Sequence, residues 1–413
     1  MSASALTRQL RVAFFDIGGT TWTAGPHYLK NLFLAIKSLD GPASIEIALL
    51  VTNGTAPGTE NAGLPVDQRI AVPLWHRAVL RLQQRLGIRL PIDPPLATLL
   101  RRRQVNAVFA NRDFGPQFPI ASLSWIPDFQ HVRLPEMFSA PEVRRRDREF
   151  SRIAAHATRV IVSSRDACAD FQRFAPHAAN KARVLPFVAH VPPEIYDADP
   201  AQVSAQYGLP PSFIYLPNQF WKHKNHAVVV HALRLAKARH PGITVVCSGR
   251  TTDDRHPGYF PELQDTIAAF GLRSMLIILG VIPHAHVFQL MRQSLAVLQP
   301  SLFEGWSTSV EEAKSLGKRV LLSDIPVHRE QAPPHGVYFD PRDPETLARC
   351  LSAAFTEYSP GPDLTLEAAA RSQLPARTKQ FGERFATIVL EAVSPSNVAS
   401  PLTPVRERSL PDA

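Results

Sequence analysis

The sequence predicts an α/β protein of two domains in tandem, each built on a parallel sheet covered by helices. Three observations carry this. Apolar runs of strand length alternate with longer stretches of helical period, the order that parallel strands joined by crossover helices require. The strand candidates are continuously apolar rather than alternating, which fits sheets covered on both faces. The 413 residues exceed what one compact core holds, so two domains of roughly 200 residues each are expected.

Taken in order, the strand candidates of the first half are 11–17, 45–51, 105–110, 123–126, 159–163 and 183–187. Helical stretches at 28–39, 140–156 and 166–174 separate several of them. The alternation pauses over "HVPPEIYDADPAQVSAQYG", residues 190–208, and then restarts. Strand candidates of the second half are 213–216, 243–247, 275–279, 295–298, 319–322 and 337–339, with helical stretches at 225–238, 261–270 and 345–355. "ERFATIVLEAV" reads as a last helix. The Pro- and Ser-rich segment after it is expected to be disordered. The domains are therefore expected at 1–195 and 196–392, followed by a tail at 393–413.

Composition excludes several classes. No apolar run approaches the ~20 residues that span a bilayer. The N-terminus lacks an apolar signal segment, so a cytoplasmic protein is expected. Cys168, Cys247 and Cys350 stand in no metal or redox spacing. A net charge of +9 favours an anionic partner. No nucleic-acid motif or aromatic stacking array accompanies that charge. "WHRAVLRLQQRLGIRL", residues 75–90, sets Trp75, Val79, Leu82 and Leu86 beside a stripe of Arg77, Arg81, Arg85 and Arg89. That pattern suits either a helix lying on an anionic membrane surface or an ordinary helix packed on its domain.

The chemistry concentrates in "SLFEGWSTSVEEAKSLGKRVLLSD", residues 301–324. Ser307 or Thr308 followed by Glu311 is a capping-box signal, and Gly317 suits the position just past a helix end. A helix starting near Thr308 aims free backbone N–H groups and partial positive charge at an anion above the strand ends. Glu304 precedes that helix and Glu312 lies in its first turns, where a carboxylate accepts hydrogen bonds from vicinal hydroxyls. The plainer alternative is that Glu311 and Glu312 only cap the helix and solvate its face. "PNQFWKHKNH" places Lys222, His223 and Lys224 at another helix start, where a lysine neutralises a diphosphate. "SWIPDFQHVRLPEMF" offers Asp128 and His131 in a loop after a strand, where open α/β sheets place ligands. Gly18, Gly19 and Gly25 follow the first strand, and such a turn lets backbone approach a phosphate or sugar.

Together these residues resemble the retaining glycosyltransferases of family four, the group 1 glycosyltransferases, over about residues 10–385. The resemblance implies the GT-B fold: two Rossmann-like domains with parallel sheets and an interdomain cleft, acceptor on the first and nucleotide sugar on the second. It implies that Glu304 contacts the donor sugar, that Glu312 contacts the ribose, and that Gly305, Trp306, Ser307 and Thr308 border sugar and phosphates. Lys224 matches the family lysine on the diphosphate, and Ile282 falls near the base. Gln219 stands where the family usually has arginine, which leaves Lys222 as the replacement charge. Ala24 replaces the first glycine of the family's Gly-Gly loop, leaving Gly25. Asp128 and His131 match the segment whose histidine lies beside the reacting carbon. No cofactor, and no metal, is implied.

The expected partners are a nucleotide sugar, a saccharide or lipid-linked acceptor and an anionic membrane surface, without nucleic acid. The expected function is transfer of a GDP- or UDP-linked sugar, mannosyl among the options, in surface polysaccharide assembly. A GT-B sugar-nucleotide epimerase and a noncatalytic anion-binding protein are the alternatives.

Overall fold

A computed structural model describes residues 10–15, 17, 24–41, 44–52, 63–72 and 94–394. Gly18, Gly19, the arginine-striped segment at 75–90 and the tail from 395 onward lie outside the described residues. The first sheet contains β1 (Leu10–Phe15), β2 (Ile45–Thr52), β3 (Gln68–Val72), β4 (Ala107–Ala110), β5 (Ala121–Trp125), β6 (Arg159–Val162) and β7 (Ala182–Val184). Its seven strands run parallel in the order β3-β2-β1-β4-β5-β6-β7. The second contains β8 (Ile214–Pro217), β9 (Val245–Ser248), β10 (Leu276–Ile278), β11 (Val297–Gln299), β12 (Val320–Ser323) and β13 (Gly336–Phe339). Its six parallel strands follow the order β10-β9-β8-β11-β12-β13. The strand order reverses at β1/β4 in the first sheet and at β8/β11 in the second.

Burial on both faces explains the continuous apolar strands. In β1, Val12 and Phe14 enter one core cluster and Ala13 enters the cluster on the opposite face. In β8, Ile214 and Leu216 face one way and Tyr215 the other. The expected pause at 190–208 contains two short helices, Pro193–Asp197 and Pro200–Gln206. Their prolines occupy first-turn positions where a missing N–H costs nothing, and Asp199 caps the second by accepting from the Ala201 amide at 3.0 Å.

The last helix departs from the expected domain division. It runs from Leu364 to Val393, far longer than expected. At its start, Glu367 pairs with buried Arg292 of the second domain at 2.8 Å. Further on, Phe381, Phe385, Ile388, Val389 and Ala392 join the core under the first sheet, and Glu391 meets Arg183 of β7 at 2.6 Å. Residues 381–392, assigned by sequence to the second domain, thus complete the core of the first. Among the described residues no helix is long and apolar enough to cross a membrane.

Gly382 is where this helix touches helix Ala24–Lys37, and a Cβ there would overlap the Ala35 carbonyl oxygen. Alanine at an exposed helical position gains about 1 kcal/mol over glycine, whereas overpacking costs roughly 1–3 kcal/mol. Because the obstacle is backbone, overpacking should win. Gly382→Ala is expected to lower the thermal midpoint, as scanning calorimetry would reveal; an unchanged or raised midpoint would mean the contact yields freely.

Candidate functional site

The site gathers at the switch point of the second sheet. After β8 the chain enters a tight turn at Lys222–Lys224, ending on Asn225 at φ 60°. Asn225 Nδ2 donates to the Pro300 carbonyl at 3.1 Å and to the Pro341 carbonyl at 2.8 Å. The Leu302 amide donates to the His223 carbonyl at 2.9 Å, joining the loops that leave β8 and β11. Beneath them sits buried Gln299, which accepts from Asn218 Nδ2 at 2.6 Å and donates to the Ser307 and Ser309 hydroxyls at 2.7 and 2.8 Å. Neither Gln299 nor Asn218 stands out in the sequence. An amide at the end of β11 and another just after β8 carry no periodic signal.

Helix Thr308–Ser315 follows, with Gly317 at φ 65° just past its end, as expected. The expected capping box is not made. The Ser307 hydroxyl is drawn to Gln299, and Glu311 turns away to Lys314 at 3.0 Å and Arg377 at 2.7 Å. Glu312, one residue on, faces the interdomain cleft.

That cleft has a volume of about 520 Å³ and takes walls from both domains. Glu304, Gly305, Trp306, Ser307, Thr308, Glu312, Lys224 and Ile282 all line it, opposite Asp128. Lys224 Nζ lies 2.6 Å from Glu304 Oε1, both largely buried. Gln219 lines the cleft with its Oε1 held by the Arg250 amide at 2.8 Å. Gly249 and His223, to which the sequence assigns no specific role, also line it. Gly249, at φ 141°, has no room for a Cβ because of the Asn218 carbonyl. Buried His223 is kept neutral, its pKa pushed well below the ordinary range by burial and then by the Lys224 charge.

Three expected residues are not brought there. His131 does not line the cleft. The short helix Gln130–Arg133 turns its ring into a wholly buried aromatic nest, 5.1 Å from Phe150, with Nε2 3.2 Å from Asp147. Burial lowers its pKa, and a side chain so enclosed does not reach a reacting carbon in this arrangement. Lys222 is exposed outside the cleft lining, with its backbone amide bonded to Asp253 at 3.0 Å. Gly25 is buried in the first turn of its helix and does not line the cleft.

The domains meet closely around the opening. A Cβ on Gly305 would overlap the Pro127 carbonyl oxygen. Arg255 donates to Gln130 Oε1 at 3.2 Å and lies over the Phe138 ring at 4.6 Å. Trp306 Nε1 donates to the Phe187 carbonyl at 3.1 Å. His27 of the first domain stacks on His284 of the second at 4.3 Å, and His284 Nε2 lies 2.7 Å from Glu312 Oε1.

This stack has a pH consequence. Burial disfavours charge on His284, but the Glu312 carboxylate outweighs it and raises the pKa. Burial, then the His284 charge, lowers His27 to about 4. A histidine depressed below its free value of 6.5 loses its contribution as pH falls below 6.5 toward about 4, whereas the raised His284 loses its own only above 6.5. Acidification from about pH 7 to about 5 should therefore loosen the stack through His27. Small-angle scattering should show the radius of gyration rising over that interval, with His27→Phe flattening the rise. An identical acid response in His27→Phe would assign the opening to other groups.

Residues 204–372 match the family model of glycosyl transferases group 1. A glycosyltransferase structure from Rickettsia africae superposes with TM-score 0.64 at 16% identity, covering 94% of this chain and 99% of that one. HepE of Anabaena, solved with UDP and glucose, gives TM-score 0.61 at 18% identity over 92% and 98% of the two chains. WaaG, described as a glycosyltransferase of lipopolysaccharide biosynthesis, gives 0.57 at 13% identity over 90% and 95%. No curated protein matches the sequence significantly. The match to group 1 glycosyltransferases is thus confined to residues 204–372, while the chain as a whole shares the two-domain GT-B fold of those structures.

Proposed function

We propose that the protein is a retaining, metal-independent glycosyltransferase. It moves a sugar, mannosyl among the candidates, from a GDP- or UDP-sugar to a saccharide or lipid-linked acceptor in surface polysaccharide assembly. The observation that carries this is the convergence of Lys224, Glu304, Glu312 and the start of helix Thr308–Ser315 on one wall of the interdomain cleft. The helix start and Lys224 supply positive charge for a diphosphate, fixed in advance where charge develops as the glycosidic bond breaks. Glu304 orients the sugar and Glu312 the ribose, while the acceptor approaches from the first domain past Asp128. HepE, bound to UDP-glucose in one of its structures, and WaaG support a nucleotide-sugar donor and a saccharide acceptor.

Lys224 and Glu304 are joined at 2.6 Å, so an incoming diphosphate competes with Glu304 for the lysine. Glu304→Ala should then lower kcat at least ~10-fold, about 1.4 kcal/mol, while binding nucleoside diphosphate no more weakly. Lys224→Ala should weaken nucleoside diphosphate more than nucleoside. Calorimetric titration of both variants, with steady-state kinetics against a panel of nucleotide sugars, tests these roles. Normal turnover by folded Glu304→Ala enzyme would defeat the assignment.

Charge neutralisation by lysine and helix start also sets the expected response to chelation. Transfer should persist in EDTA. Complete loss, restored by Mg²⁺ or Mn²⁺, would require a different account of the leaving group.

A further inference from the structure

A second cavity of about 820 Å³ lies behind the first, between strand β7, helix Thr308–Ser315 and the last helix. Trp306 and Phe187 line both cavities and form the wall between them. Five basic side chains, Arg165, Arg183, Lys314, Arg377 and Arg384, line it with two carboxylates, Glu311 and Glu330, and Arg183 is already paired with Glu391 at 2.6 Å.

The carboxylates are already engaged. Glu311 is held by Lys314 and Arg377, and Glu330 accepts from the Arg165 amide at 2.8 Å and the Asp166 amide at 3.3 Å. The side chain of Arg165 is 80% exposed, with its closest carboxylate contact at 3.4 Å. Arg384 makes no hydrogen bond or ion pair among the described residues. Beside these charges the cavity has an apolar floor that includes Phe187, Trp306, Phe381 and Ile388.

We propose that this cavity is a second anion site, taking a phosphate monoester or diphosphate whose apolar or sugar body rests on that floor. The excess of positive charge suits a multiply charged phosphate better than a single carboxylate, and arginine forks bind phosphate oxygens in pairs. The cations come from both bodies: Arg165 and Arg183 belong to the first domain, Arg384 to the helix segment packed on it, and Lys314 to the second domain. An anion held among them ties the domains in their present relation. It also acts on helix Thr308–Ser315 from behind, since Glu311 and Glu312 are successive residues, about 100° apart around the helix, and face opposite cavities. The phosphate could come from a soluble metabolite or from a lipid headgroup.

Inorganic pyrophosphate titrated into the Lys224→Ala protein at low salt separates this site from the donor cleft. Binding should persist there and weaken at least ~10-fold when Arg165→Gln and Arg384→Gln are added, the scale of one lost charge-assisted hydrogen bond. Sedimentation with phosphatidylcholine vesicles containing phosphatidic acid forms the second arm. Vesicle binding lost in the Arg165→Gln/Arg384→Gln protein, without pyrophosphate binding, would assign the phosphate to a lipid. No binding in either arm, or binding indifferent to both substitutions, would overturn the proposal. Both arginines are surface side chains, so the variants should fold, and retained nucleoside diphosphate binding in the protein with Lys224 intact would verify it.

Discussion

At the cleft the two domains meet in one contact where a side chain has no place. Gly305 lies against the Pro127 carbonyl so closely that even a methyl group would force the two domains apart. The other interdomain contacts at the opening are made across this closed distance. His27 reaches His284, Arg255 reaches Gln130, and Trp306 reaches the Phe187 carbonyl in that arrangement. Hydrogen bonds and ring stacks are short-ranged, so a displacement of about 1 Å would weaken all of them together.

Within the closed cleft, Lys224 and Glu304 serve as each other's counter-charge. Charges this far from water need a partner, and leaving one alone costs several kcal/mol. The pair satisfies both charges within the protein itself. The neighbouring helix applies the same logic on two faces. Glu312 is held toward the front by His284, and Glu311 toward the back by Lys314 and Arg377. Adjacent identical residues thus serve separate surroundings because the helix turns between them.

Much of this was legible in the sequence, for reasons that also explain what was not. The central strands announced themselves because both of their faces are buried. Edge strand β3 escaped notice because Gln68–Val72 is short and alternates between buried and exposed positions. Spacing put the two glutamates and Lys224 near strand ends, which is where the cleft lies, but left a mere capping role open; the roles expected of them came from the resemblance. His131 misled because proximity to Asp128 along the chain does not say which way a single helical turn directs a ring. Gln299 and Asn218, which hold the site together, look like ordinary polar interruptions. The return of the last helix to the first domain is a long-range packing choice, and an amphipathic pattern cannot name the surface it will cover.

That return has a consequence for the order in which the protein is made. The first sheet ends at β7, near residue 184, yet its core waits for residues 381–392. At roughly 5–20 residues per second, the ribosome needs on the order of 10–40 s to supply the roughly 200 residues between them. During that interval the surface that Phe381, Phe385 and Val389 will cover is bare on the nascent chain. The domain that begins synthesis first therefore reaches its finished core last.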